Sequence, residues 1–252
     1  MLDTIDHADI RELRLARPPV NALNPALVDG LRAAIEAAPS DGARALVLSG
    51  AQGLFSAGLD VPALLALDRA AMRAFWVDFF SLCATIARSP IPVVAALTGH
   101  SPAGGAVLAT FCDYRIMARG PFRIGLNEVQ VGLSVPDCIQ AGLRRLVGTY
   151  RAERLMVAGA MIEAEQALAI GFVDELVDVD HVVPRALVWL TELLQLPPQA
   201  MAQTRRLARA DLAAVFADMS AFPVDDFVDG WFSAESQATL QALVARLRSK
   251  AG

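Results

Sequence analysis

The amino-acid sequence predicts an α/β fold in which short buried strands alternate with helices. Three features carry that reading. Short apolar runs bounded by Gly or Pro recur at Arg44–Ser49, Pro92–Leu97 and Cys112–Ala118, as buried parallel strands do. Segments with helical period separate them. Beyond about Asp180 the strand signal stops and only helical patterns remain.

In chain order, Ala26–Ala37 is amphipathic, with Asn24 placed to cap it and Pro25 at the first helical position. After the first strand, Val61–Arg88 reads as one long helix, with Asp60 as its cap and Pro62 inside its first turn. After the second strand, Gly105–Phe111 reads as a short buried helix opening from a Gly turn. The tail predicts helices at Val182–Leu194, Pro198–Arg209 and Ser233–Arg248. The expected organisation is therefore an α/β core over residues 1–180 and a helical C-terminal region over 181–252. No repeat of fixed period and no low-complexity linker is evident.

Composition bounds the function classes. The 252 residues are 55% hydrophobic and 19% charged, which suffices for a large core and excludes extended disorder. Mean hydropathy is +0.43, so polar surface is scarce and a homo-oligomer is expected. The net charge of −5, with basic residues dispersed, argues against bulk nucleic-acid binding. Cys83, Cys112 and Cys138 lie far apart with no metal-ligand spacing and read as reduced core residues. Acidic residues Asp3, Asp6, Asp9 and Glu12 fit neither a signal nor a transit peptide, so a cytoplasmic protein is expected. Ile91–Phe111 is nearly uncharged and about as long as a membrane span. Its Pro92, Gly99, Pro102, Gly104 and Gly105 favour a strand, a turn and a helix, and no membrane insertion is expected.

Chemistry concentrates in three segments. The turn Phe55-Ser56-Ala57-Gly58-Leu59-Asp60 follows one strand, and Ser101-Pro102-Ala103-Gly104-Gly105-Ala106 follows the next and opens a helix. Free N–H groups at such a helix start suit a negative oxygen. Two facing turns would each aim an N–H at one oxygen, as in an oxyanion hole. Taken singly, each is also an ordinary tight turn, and neither matches GxGxxG or the P-loop pattern. In the third segment Glu128 is the sole ionisable side chain between Arg123 and Asp137. Apolar surroundings raise a carboxylate's pKa, which serves a general base, although an exposed loop Glu or a cap has the same sequence. His7, His100 and His181 have no triad spacing, and Trp76, Phe79, Phe80, Trp231 and Phe232 read as core or subunit interface.

Together these segments resemble the crotonase (enoyl-CoA hydratase/isomerase) superfamily over nearly the whole chain. Carrying the similarity are Pro18-Pro19-Val20-Asn21-Ala22-Leu23-Asn24, the FSAGLD turn, PAGGA followed by CDYRIMA, and Ala169-Ile170-Gly171-Phe172-Val173-Asp174. GLNEVQVGL is most similar to the mitochondrial-type Δ3,Δ2-enoyl-CoA isomerases. The resemblance implies a spiral of ββα turns, a helical trimerisation region, and a homotrimer or dimer of trimers that takes an acyl-CoA thioester. It also implies Leu59 and Gly104 as the oxyanion N–H donors and Glu128 as the base. Backbone around Ala22 and Ala57 would meet the adenine end of CoA, and Val61, Gly105, Val107 and Val135 would surround the substrate. Arg17 and Lys250 are the candidate cations for the CoA phosphates. Counting back from Cys112-Asp113, Val107 stands where the family's hydratases carry their first glutamate, and its dienoyl-CoA isomerases an acidic residue near it. A Val transfers no proton, so the expectation is a one-base isomerase of fatty-acid β-oxidation that needs no metal or redox cofactor. The alternatives are another crotonase-fold acyl-CoA reaction (hydration, thioester hydrolysis, decarboxylation) or a non-catalytic acyl-CoA-binding protein.

Overall fold

The computed structural model describes residues 1–251, with side chains through Ser249. It opens with a hairpin of β1 (Leu2–His7) and β2 (Ile10–Leu15) that the period reading did not reveal. The reason is Glu12, a fully buried acid in a strand. Its carboxylate accepts from Ser49 Oγ at 2.6 Å and Arg14 Nε at 3.0 Å and meets His7 Nε2 at 2.9 Å. These partners offset the desolvation that makes a buried acid look out of place.

Helix α1 (Pro25–Ala37) is capped as expected, Leu27 N donating to Asn24 Oδ1 at 2.9 Å. Its buried stripe of Leu27, Val28, Leu31 and Ile35 faces the core. The chain continues through β3 (Ala45–Ser49) and β4 (Gly53–Leu54). The long helix predicted over Val61–Arg88 is two helices, α2 (Val61–Leu64) and α3 (Arg69–Arg88). Asp60 caps the first, but Asp68 takes Ala71 N at 2.8 Å and starts a second. A capping Asp inside an apolar run breaks the helix that the period alone would continue.

Next come β5 (Val93–Leu97), β6 (Gly99–Pro102) and α4 (Gly104–Phe111). Ile91–Phe111, with the length of a membrane span, is therefore two strands and a buried helix. Helix α3 is also long and apolar enough to cross a membrane, and 56% of its apolar window is buried inside this fold. The remaining strands are β7 (Tyr114–Ala118), β8 (Arg123–Gly125), β9 (Ile162–Glu163) and β10 (Glu175–Val177). Between and after them lie α5 (Asp137–Val147), α6 (Thr149–Val157), α7 (Ala164–Ala169) and α8 (Val182–Leu194). The tail adds α9 (Pro198–Ala208), α10 (Ala210–Ala214), α11 (Val224–Trp231) and α12 (Ala234–Ala251).

The order strand, short strand, helix repeats at β3-β4-α2/α3, β5-β6-α4 and β7-β8-α5/α6, and each turn adds one strand to each of two sheets. One sheet runs β1-β2-β3-β5-β7-β10 and the other β4-β6-β8-β9. From β2 to β10 the larger sheet is parallel. Side chains alternate across it: Leu46, Leu48, Val93, Ala95, Leu97 and Met117 join the main core with α1, α3 and α4. Val47, Val94, Ala96 and Ile116 face the other way, onto Val182, Ala186 and Leu190 of α8. Being covered on both faces is why these strands read as unbroken apolar runs. All three cysteines are buried and unpaired.

Candidate active site

The spiral brings the two small-residue turns into contact. Val20–Leu23 runs alongside the FSAGLD turn: Ala57 N donates to Val20 O (2.9 Å), Leu23 N to Gly58 O (2.7 Å) and Asp60 N to Leu23 O (3.0 Å). Asn21 fastens the same loop, its Nδ2 donating to Phe55 O at 3.1 Å while Ser56 Oγ donates to Asn21 O at 2.8 Å. Gly58 has φ +86°, and a Cβ there would lie 3.1 Å from Pro102 O and 3.2 Å from Gly104 N. Only a glycine lets the second turn approach that closely. A Cβ on Gly105 would sit 2.9 Å from Ser56 O. Next to this contact, the Leu59 and Gly104 amides donate to no acceptor among the described residues. Gly104 opens the eight-residue α4, whose dipole adds positive character at its amide.

Glu128 follows the strand that pairs with the second turn. Pairing of β6 with β8 sets Pro102 against Gly125, and Ala103 N donates to Gly125 O at 2.8 Å. Three residues on, Glu128 is the first residue of a 3-10 turn, Glu128–Val131, closed by Gly132 at φ +76°. The residue is 8% exposed, and its carboxylate Oε2 is buried with no hydrogen-bond partner. Burial pushes its pKa up from 4.5 to about 7, against a smaller lowering by a backbone N–H. Asn127 Oδ1 beside it is also buried and unpartnered. Of the readings its sequence leaves open, Glu128 is thus a buried acid and not an exposed loop Glu.

Helix α12 covers this turn. Ser236 Oγ donates to Gly132 O at 2.5 Å, and a Cβ on Gly132 would lie 3.1 Å from Ser236 Cα. The same helix also touches α2. Nothing in the sequence marks Ser236, because its partner lies 104 residues away. Ala22 is 7% exposed and Ala57 half-buried on the joined loops. Val61 and Val107 are buried in the main core. Val135 lines a cleft of about 400 Å³ with Val129, Ser134, Met156 and Val157, against the turn that carries Glu128. A larger and open cavity, about 930 Å³ between α6 and α7, contains none of the sequence-predicted site residues.

Arg17 requires a correction. As a free cation for phosphates it fails, because its guanidinium pairs with Asp60 Oδ2 at 2.5 Å and donates to Ala22 O at 3.0 Å. It braces the two loops instead. The Lys250 side chain lies outside the described residues. Among the described residues, no three His, Cys, Asp or Glu side chains converge as a metal site would need.

A profile of the family described as enoyl-CoA hydratase/isomerase matches residues 6–249. The chain belongs to that family. It is 30% identical to human "Enoyl-CoA delta isomerase 1, mitochondrial" over 248 residues, covering 97% of this chain and 82% of the relative. To the "Probable enoyl-CoA hydratase EchA17" of Mycobacterium tuberculosis it is 34% identical over 210 residues, covering 81% and 78%. The crystal structure of human mitochondrial delta3-delta2-enoyl-CoA isomerase superposes with a TM-score of 0.94 at 29% identity, over 100% of this chain and 99% of that one. The expected crotonase fold is thus the observed one, and the protein is a crotonase-family enzyme of the enoyl-CoA isomerase/hydratase type.

Proposed function

We propose that the protein is a Δ3,Δ2-enoyl-CoA isomerase, converting 3-enoyl-CoA to trans-2-enoyl-CoA with one base. The observation that carries this reading is the count of unengaged buried acids. Among the described residues Glu12, Asp60 and Glu128 are the buried carboxylates. Glu12 is tied to Ser49, His7 and Arg14, and Asp60 to Ala63 N and Arg17, which leaves Glu128. Val107, 1% exposed on α4, supplies no second one. Hydration needs water activated and a proton delivered to the neighbouring carbon, for which a lone base is poorly equipped.

In the proposed reaction Glu128 takes the C2 proton, which the thioester acidifies, and the electron pair delocalises to a dienolate. Returning that proton to C4 leaves the double bond between C2 and C3. The negative thioester oxygen is met by the Leu59 and Gly104 N–H groups, the second strengthened by α4. A base with a pKa of about 7 matches a working pH near neutrality. Ala22 and Ala57 offer backbone to the CoA adenine, and Val61, Gly105, Val107 and Val135 surround the acyl end. The reaction draws on no metal or redox cofactor, and its place is a cytoplasmic β-oxidation step. A homotrimer or dimer of trimers is the proposed assembly, supported by α9, which buries none of its residues, with Leu196 and Leu207 exposed beside and on it.

The test is incubation with 3-enoyl-CoA, and separately with 2-enoyl-CoA, followed by mass and proton NMR. Conversion of the 3-enoyl to the 2-enoyl ester at unchanged mass supports the isomerase. A product heavier by one water identifies a hydratase, and bound acyl-CoA without turnover a binding protein.

A further inference from the structure

At the far end of α4 from the active site, the C-terminal carbonyls are held by two buried arginines. Arg209 Nη2 donates to Phe111 O at 2.7 Å, and its Nη1 to Cys112 O at 3.3 Å. Arg115 Nη1 donates to Cys112 O at 2.9 Å and to Ala109 O at 3.4 Å. The two residues are 8% and 4% exposed. Arg115 pairs with Asp174 at 2.8 Å, whereas Arg205 and Arg209 share Asp113, at 2.7 and 3.3 Å. Three guanidinium groups therefore face two carboxylates, which leaves one positive charge in excess.

Such a cluster is more than a helix cap requires. Neutralising the negative pole of α4 leaves its positive pole, at Gly104, uncompensated. The helix is eight residues long, about 12 Å from end to end, and lies wholly in the core, where the field of a charge is poorly screened. We infer that Arg209, Arg205 and Arg115 are positioning residues for catalysis, whose excess charge, carried along α4, raises the polarising power of the Gly104 N–H. Arg205 and Arg209 come from α9 and the residue that follows it, so the C-terminal helices contribute to the site by charge as well as by cover. This rests on the proposed role of Gly104 at the thioester oxygen.

Over about 15 Å at an effective dielectric near 20, loss of one charge corresponds to roughly a three- to tenfold fall in kcat. The probe is 3-phenylpropenoyl-CoA, a conjugated thioester with no C4 hydrogen to shift, whose absorbance moves to the red when its carbonyl oxygen is polarised. Arg209→Met removes the charge and the cap. Arg205→Met removes the same charge and touches no α4 carbonyl, and it serves if the first variant does not fold. Expected for either is a smaller red shift and a three- to tenfold lower kcat, with KM within twofold of wild type, while Arg209→Lys keeps the red shift. Folded Met variants with the wild-type red shift and kcat would overturn the inference and leave the isomerase intact. A wild-type protein that binds the probe without any red shift would overturn the role of Gly104 itself, and the inference with it.

Discussion

Replacing Glu128 by Gln tests the burial of this acid without reference to any substrate. In the unfolded chain the carboxyl titrates near 4.5, and in the folded protein near 7. Below pH 4.5 it is protonated in both states and contributes nothing. Between 4.5 and 7 the unfolded chain gives up its proton while the folded protein keeps it, so stability falls as pH rises. Above 7 both are ionised and the loss is complete, at roughly 3 kcal/mol for that gap. Gln has no such dependence. Its buried amide adds a cost of about 1–3 kcal/mol that is the same at every pH, so comparing two pH values cancels it. Urea denaturation of both proteins at one protein concentration, at pH 5 and pH 8, is the measurement. The Gln variant gains about 2.5 kcal/mol on the wild type between the two pH values. A difference that does not change with pH, or that favours wild type more at pH 8, refutes a buried and unpaired Glu128.

Three further predictions concern activity. For isomerisation, kcat/KM rises about tenfold per pH unit up to pH 7 and is level above it, because the base works ionised; Glu128→Gln lowers the plateau by roughly 10²–10⁴. A flat profile from pH 5 to 8 would assign the proton transfer to another group. Gly58→Ala puts a Cβ 3.0 Å from the Ala103 Cβ at a φ of +86°, and parting the turns costs about 10²–10³ in kcat while acyl-CoA still binds. Wild-type kcat in that variant would show that the contact between the turns is not needed. Ser236→Ala removes the bond to Gly132 O, lowering stability by about 1 kcal/mol and kcat several-fold at nearly constant KM. An unchanged kcat would make α12 a cover only.

Much of the candidate site was legible because its parts are local. Small residues in FSAGLD and SPAGGA mark backbone that must come close to something, and one carboxyl among apolar residues marks an acid that burial will perturb. Caps were legible for the same reason, since Asn24 and Asp60 act on amides three residues away. Glu12 was not, because its acceptability depends on Ser49, 37 residues off, and on its neighbour strand. Asp68 was readable in principle, as a capping residue placed before Arg69 inside an apolar run. Arg17 looked like a free cation until the fold set Asp60 beside it.

By itself the sequence determined the alternation of strands and helices, the helical tail and the three segments proposed to carry the chemistry, because period, capping and turn residues act over a few positions. Only the tertiary structure decided that Gly58 abuts Gly104, that β6 pairs with the strand three residues ahead of Glu128, and that Ser236 and Arg209 bond the Gly132 turn and the end of α4 from the tail. These are contacts across roughly 20 to 100 residues, and they exist because burying both faces of a parallel sheet forces the chain into a spiral. Desolvation of Glu128 belongs to the same class, since a carboxyl's pKa follows from what surrounds it in space rather than from its neighbours in the chain.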